Sequence, residues 1–160
     1  MGYKIFISHN KEDESAALDV KNALVECGVE AYLDLLDNTI SGDGEKLTKH
    51  IKGKLSECTD VIVVLSEQTK KSWWVPFEIG MATQKDMPIA NYLLSAQTLP
   101  DYLEFWPRLK NRRDILMYVE TRKQIANQVL QERAFSHGAY QYANQESEVQ
   151  KFYSELKRKL

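Results

Sequence analysis

The sequence predicts an α/β domain, a five-stranded parallel sheet between two layers of helices. Three observations predict it. Short β-rich runs and helical periodicities take turns along most of the chain. Parallel strands need such crossovers, and the crossovers are right-handed. The run Val61-Ile62-Val63-Val64-Leu65 is apolar without alternation, which is how a strand covered on both faces reads. A length of 160 residues suits one domain, large enough to need no disulfide or metal staple.

The elements follow in order. Tyr3 to Ser8 is β-rich and precedes turn residues, so it reads as the first strand. Asp13 is placed to cap a helix in which Ala16, Ala17, Val20, Leu24 and Val25 recur at helical spacing. Gly28 suits the left-handed position that ends it. Val29 to Leu33 is the second strand, and Asp34 to Gly44, rich in Asp, Asn, Ser and Gly, is a loop. Leu47, Ile51 and Leu55 stripe a second helix over Glu45 to Cys58. Asp60 to Ser66 is the third strand. Pro76 is tolerated only in a first turn, so the third helix begins near Trp74 or Val75 and runs to Gln84.

Pro88 to Leu94 reads as the fourth strand and Asp114 to Val119 as the fifth. Between them Leu99 to Arg113 is irregular, aromatic and proline-bearing, with room for a short helix. Arg122 to Glu132 reads as helical, Ser136 to Gln145 as polar and weak, and Glu146 to Leu160 as a last charged helix. The domain proper is expected over residues 1–135, with 136–160 as a helical extension packed on or next to it. The expected strand order is flavodoxin-like, 2-1-3-4-5. Ligands of such sheets bind at the carboxyl ends of the strands, here the loops Ser8 to Asp13, Asp34 to Gly44 and Ser66 to Trp74.

Composition removes several function classes. Basic and acidic residues number 21 and 23, for a net charge of -2, so charge offers no reason to propose a nucleic-acid partner. No apolar run approaches the ~20 residues of a membrane span, and no signal-peptide stretch opens the chain, so a cytoplasmic protein is expected. Cys27 and Cys58 form no CxxC and have no clustered histidines, so no metal site is expected. They read as small residues buried at helix-to-strand junctions.

The loop Ser8-His9-Asn10-Lys11-Glu12-Asp13 has no glycine, which removes the dinucleotide fingerprint and the P-loop. The third strand ends in Leu65-Ser66 rather than the Asp of a phospho-acceptor, and no GxSxG elbow exists. What remains is Ser72-Trp73-Trp74-Val75-Pro76-Phe77-Glu78. Trp74 and Glu78 are four apart and share a helix face. Two readings stand. In one, Trp74 packs in the core and Glu78 is a solvated helix residue. In the other, the indole holds a flat ring and the carboxylate stabilises positive charge developing at a sugar, as glycosidic cleavage requires.

Three segments resemble the TIR (Toll/interleukin-1 receptor) domain family, in order and at its spacing. They are Phe6-Ile7-Ser8-His9-Asn10-Lys11-Glu12-Asp13, Asp34 to Asp43, and Ser72 to Ile79. The resemblance covers residues 3 to 94 well. It implies that Asp34 to Gly44 is the BB loop and that Glu78 is the glutamate with which catalytic members cleave NAD+ between nicotinamide and ribose. The expected substrate-binding residues are Ser8, His9, Asp34, Gly42, Ser72 and Trp74: Ser8 and His9 close the first strand, within reach of a ligand's ribose or phosphates, and Asp34, Gly42 and Gly44 let the loop close over the substrate. Trp73 and Trp74 are doubled, and the family spacing selects Trp74. His9 has a plain alternative as a loop residue satisfied by backbone. NAD+ is then a substrate and no cofactor is implied.

Short stand-alone members with this glutamate resemble prokaryotic TIR proteins, including those of Thoeris anti-phage systems. The partners implied are further TIR copies and a separate effector responding to ADP-ribose or a cyclic ADP-ribose-type product. Two other classes stay open at this point: a TIR adaptor that cleaves nothing, with Glu78 at the surface, and a nucleoside 2-deoxyribosyltransferase. The aromatic stretch around Tyr102, Phe105 and Trp106 reads either as cover for the sheet edge or as a docking surface.

Overall fold

The computed structural model describes residues 2–33, 43–72, 74–135 and 147–160. Five parallel strands run in the order β2-β1-β3-β4-β5, the predicted order. They are β1 (Lys4–Ser8), β2 (Glu30–Leu33), β3 (Asp60–Leu65), β4 (Ile89–Leu93) and β5 (Arg108–Leu109). The helices are α1 (Glu14–Glu26), α2 (Gly44–Ser56), α3 (Trp74–Gln84), α4 (Asp101–Glu104), α5 (Arg112–Phe135) and α6 (Glu148–Lys159). Short 3-10 turns at Lys11–Asp13 and Glu67–Lys71 precede α1 and α3.

Side-chain alternation along the strands sorts the core into two layers. Ile5, Ile7, Ile62, Val64 and Ala90 face α1, α5 and α6. Phe6, Val61, Val63, Leu65 and Ile89 face α2 and α3. All six residues of β3 are buried, because both faces of the central strand are covered. Gly28, at φ +73°, ends α1 in the left-handed conformation expected of it.

The fifth strand departs from the sequence reading. Asp114 to Val119 is helical, the opening of α5, and β5 is the two-residue Arg108–Leu109. Ile115, Tyr118, Val119 and Arg122 are buried while Leu116 is exposed, which is spacing of three and four, not two. Asn111 accepts from the Asp114 amide and Asp114 accepts from the Lys110 and Asn111 nitrogens. This is a capped helix start.

The 99–113 segment divides. Leu99, Leu103 and Leu109 are buried and Trp106 packs against both core layers, while Tyr102 and Phe105 are exposed. Helix α6 inserts Phe152 and Leu156 into the α1/α5 layer, and the Tyr153 hydroxyl accepts from the Ile89 amide at 2.8 Å. Tyr118 and Phe152 meet edge-on at 5.0 Å.

Candidate functional site

The carboxyl ends of β1 and β3 carry the loops in question. In β1, Phe6 faces the α2/α3 layer, and alternation puts Ser8 on the same side. Its hydroxyl, fully buried, donates to the Oε2 atom of Glu78. Glu78 is only 1% exposed. Of the two readings of Glu78, the solvated helix residue is thereby excluded: in α3 the carboxylate points inward, toward β1. A buried carboxylate needs hydrogen bonds, and the Ser8 hydroxyl supplies one.

Helix α3 is placed by its cap. The Ser72 hydroxyl accepts from the Trp74 and Val75 amides at 3.2 and 3.3 Å, satisfying donors that the helix cannot. Pro76 then sits in the first turn, as its missing N–H requires. Ser72 therefore acts on the helix backbone. Trp74 opens α3, half-buried against the α2/α3 core and 5.3 Å from the Phe77 ring. Its indole nitrogen is enclosed with no acceptor among the described residues. His9 is buried at 8% exposure, next to Ser8. Asp34, Gly42 and the rest of the expected BB loop up to that glycine lie outside the described residues, as does Trp73.

Sequence reading missed one cluster. Asp13 stands at the cap position of α1, but its side chain makes no capping bond there. It turns to the β3 loop, where Ser66 donates to Oδ2 at 2.7 Å and Thr69 approaches the same oxygen at 3.5 Å. The competing pull is burial: at 7% exposure the carboxylate needs strong donors, and the hydroxyls of the next loop provide them. Asn10 adds a second tie, donating to the Gln68 carbonyl at 3.2 Å. The available signal was Ser66-Glu67-Gln68-Thr69, a capping-box spacing. It caps the Glu67–Lys71 turn.

Comparison with known proteins decides the family. A family model for the TIR domain matches residues 5–134. The chain belongs to the TIR domain family. Among solved structures, the TIR domain of the Toll-related receptor TRR-2 from Hydra magnipapillata superposes with TM-score 0.56 at 14% identity, covering 81% of this chain and 97% of that one. A 2-deoxyribosyltransferase from Bacillus psychrosaccharolyticus superposes with TM-score 0.59 at 12% identity, covering 71% and 90%. At such identities these two show the shared fold alone.

A curated relative is the "Probable 3' cyclic ADP-D-ribose synthase ThsB'" of Bacillus cereus (strain MSX-D12). It is 32% identical over 82 residues, 49% of this TIR chain. The match spans 42% of that protein's length. No helix among the described residues of the TIR chain is long and apolar enough to cross a membrane.

Proposed function

We propose that this TIR domain cleaves NAD+ at the bond between nicotinamide and ribose. The observation that carries the reading is Glu78, a buried carboxylate hydrogen-bonded by Ser8 at the ligand-binding end of the sheet. The likeness to a protein named as a cyclic ADP-ribose synthase supports it. Nicotinamide leaves as a neutral molecule: the C1′–N bond breaks, its electron pair goes to the ring nitrogen, and C1′ becomes oxocarbenium-like. No general acid is needed. Glu78 stabilises that positive charge. Water then attacks C1′ and loses a proton to give ADP-ribose, or a nucleophile within the same molecule closes a cyclic product.

In this reading Trp74, His9 and the BB loop residues Asp34 and Gly42 line the substrate, and Ser72 sets the start of α3. Because Glu78 is nearly enclosed, substrate entry has to displace part of its cover, and closing that cover again excludes water. Catalysis is concentration-dependent through association of TIR copies, and the product signals to a separate effector in a Thoeris-like antiviral system. An adaptor with Glu78 as a mere surface residue is at odds with the burial of that side chain.

The test is incubation with NAD+ and identification of products by mass spectrometry, for wild type and Glu78→Gln. The variant keeps an acceptor for Ser8 but loses the charge. Release of nicotinamide should fall about 10²-fold, on the order of 3 kcal/mol of transition-state stabilisation. A variant as fast as wild type refutes the catalytic role of Glu78. Failure of concentrated wild type to cleave NAD+ at all refutes the activity.

A further inference from the structure

We propose that Asp13 is a positioning residue for Glu78, acting through the turn that follows β3 and touching no substrate. The inference rests on the catalytic reading of Glu78. Four observations carry it. First, Asp13 makes no capping bond at α1, whose 3-10 start is capped by Asn10, and its side chain instead holds Ser66 from the neighbouring loop.

Second, that Ser66 hydroxyl already accepts from the Gln68 amide at 3.1 Å. A hydroxyl donating to a carboxylate is oriented, so its lone pair is aimed at the amide. Thr69 closes the turn, its hydroxyl accepting from the Ser66 amide at 2.9 Å.

Third, the turn is tied to α3 by hydrogen bonds on either side of Ser72. The Ser72 amide bonds the Thr69 carbonyl at 2.9 Å, and the Ser72 hydroxyl then caps the helix. Glu78 lies within α3, close behind that cap.

Fourth, the path closes on itself. Asp13 follows Ser8 by five residues in the sequence, and Ser8 donates to Glu78. The circuit is therefore Ser8, Asp13, Ser66, Ser72, α3, Glu78 and back to Ser8. A carboxylate buried at 7% exposure locks the two loops that carry its ends. Releasing Asp13 frees the α3 end to shift against β1, and catalytic groups are sensitive to displacements of about 1 Å.

The experiment measures nicotinamide release and melting temperature for Asp13→Ala, Asp13→Asn, Ser66→Ala and the double variant Asp13→Ala/Glu78→Gln. Asp13→Ala should lower kcat about 10-fold with KM within about twofold, the signature of an interaction felt in the transition state. Asp13→Asn keeps an oxygen acceptor for Ser66 and should stay within about threefold of wild type. In the Glu78→Gln background, Asp13→Ala should cost nothing more, because its effect passes through Glu78. A merely structural role would give additive losses, a change in melting temperature alone, or an Asn variant as impaired as Ala. Each of these outcomes overturns the proposal. If Asp13→Ala does not fold, Ser66→Ala, which removes the donor, carries the same kcat expectation and the same refutation.

Amide hydrogen exchange separates this proposal from the activity itself. Asp13→Ala should lose protection over residues 66–75 and Asp13→Asn should keep it, whether or not NAD+ is cleaved. With an inactive wild type, unchanged exchange in both variants overturns the bracket, and selective loss in the Ala variant sustains the bracket while the activity reading falls.

Discussion

Buried carboxylates sit at both ends of the sheet, and Asp60 and Glu78 are held differently. Asp60, at the start of β3, is wholly buried and points toward α5. It receives Nε and Nη2 of Arg122 at 2.8 and 3.2 Å and the Tyr118 hydroxyl at 2.7 Å. The Arg122 guanidinium also lies over the Tyr3 and Phe152 rings, 5.0 and 5.1 Å from their centroids, and reaches Glu148 at 3.3 Å. Burial pulls the Arg122 pKa down but Asp60 beside it pushes it up more, so the guanidinium stays charged. Glu78, toward the other end, receives the Ser8 hydroxyl. The Asp60 carboxylate is tied by a guanidinium as well as a hydroxyl, and Glu78 is tied to β1 through a hydroxyl. One end joins β3 to α5 and α6. The other joins β1 to α3 through a serine hydroxyl.

The largest expected effect comes from breaking the pair of Asp60 and Arg122. Asp60→Ala leaves Arg122 buried without its main partner and should cost about 3–5 kcal/mol. At about 2–4 °C per kcal/mol for a domain of this size, melting should drop by roughly 10 °C. A fall of only a degree or two would show that the network contributes little. Glu78→Gln should do the opposite, losing turnover about 10²-fold while melting within a few degrees of wild type. Equal thermal losses at Asp60 and Glu78 would abolish the contrast between the two ends.

A smaller effect is expected at Tyr153, which accepts from the Ile89 amide beside the Asp60 network. Tyr153→Phe orphans that amide and should cost about 1–3 kcal/mol. Burial pushes the Tyr153 phenol up to about 12, the backbone bond only partly opposing it, and burial also raises Tyr118. In the unfolded chain tyrosine ionises near 10. The folded pKa is the higher one, so this contribution is whole below pH ~10 and is lost as pH rises toward ~12. Melting temperature should fall over that window, less steeply in Tyr153→Phe. An unchanged slope would rule Tyr153 out as a source of the alkaline loss. The smallest effect is chemical. Cys58, half-buried near Asp60, has its thiol pushed up to about 11 by burial. At pH 8 it should react with a thiolate-specific reagent about 10²-fold more slowly than a free thiol. Fast labelling would mean that this end of the sheet admits water.

Much of the fold was legible. The apolar run of β3, the glycine after α1 and the proline in the first turn of α3 each have one reading, because each excludes the alternatives locally. Asp114 to Val119 did not, since Ile, Leu, Tyr and Val suit a buried strand and a buried helix alike. The Asn111 cap was the signal that separates them. At the site, four-residue spacing put Trp74 and Glu78 on one helix face but left two readings open, and the family resemblance chose between them. The burial of Glu78 was not legible: Trp-Val-Pro-Phe-Glu-Ile-Gly-Met is apolar nearly all round, so no face declares itself inward.

By itself the sequence determined the alternation of strands and helices, the family motifs and the glutamate placed after a tryptophan in α3. These follow from neighbours a few residues apart, where propensity and periodicity act. Only the tertiary structure decided what the polar groups bond. Ser8 and Glu78 are 70 residues apart, Asp13 and Ser66 are 53, and Asp60 and Arg122 are 62. A buried donor or acceptor takes the partner that the packed sheet brings within hydrogen-bond reach. That is why Asp13, read locally as a helix cap, bonds the loop of another strand.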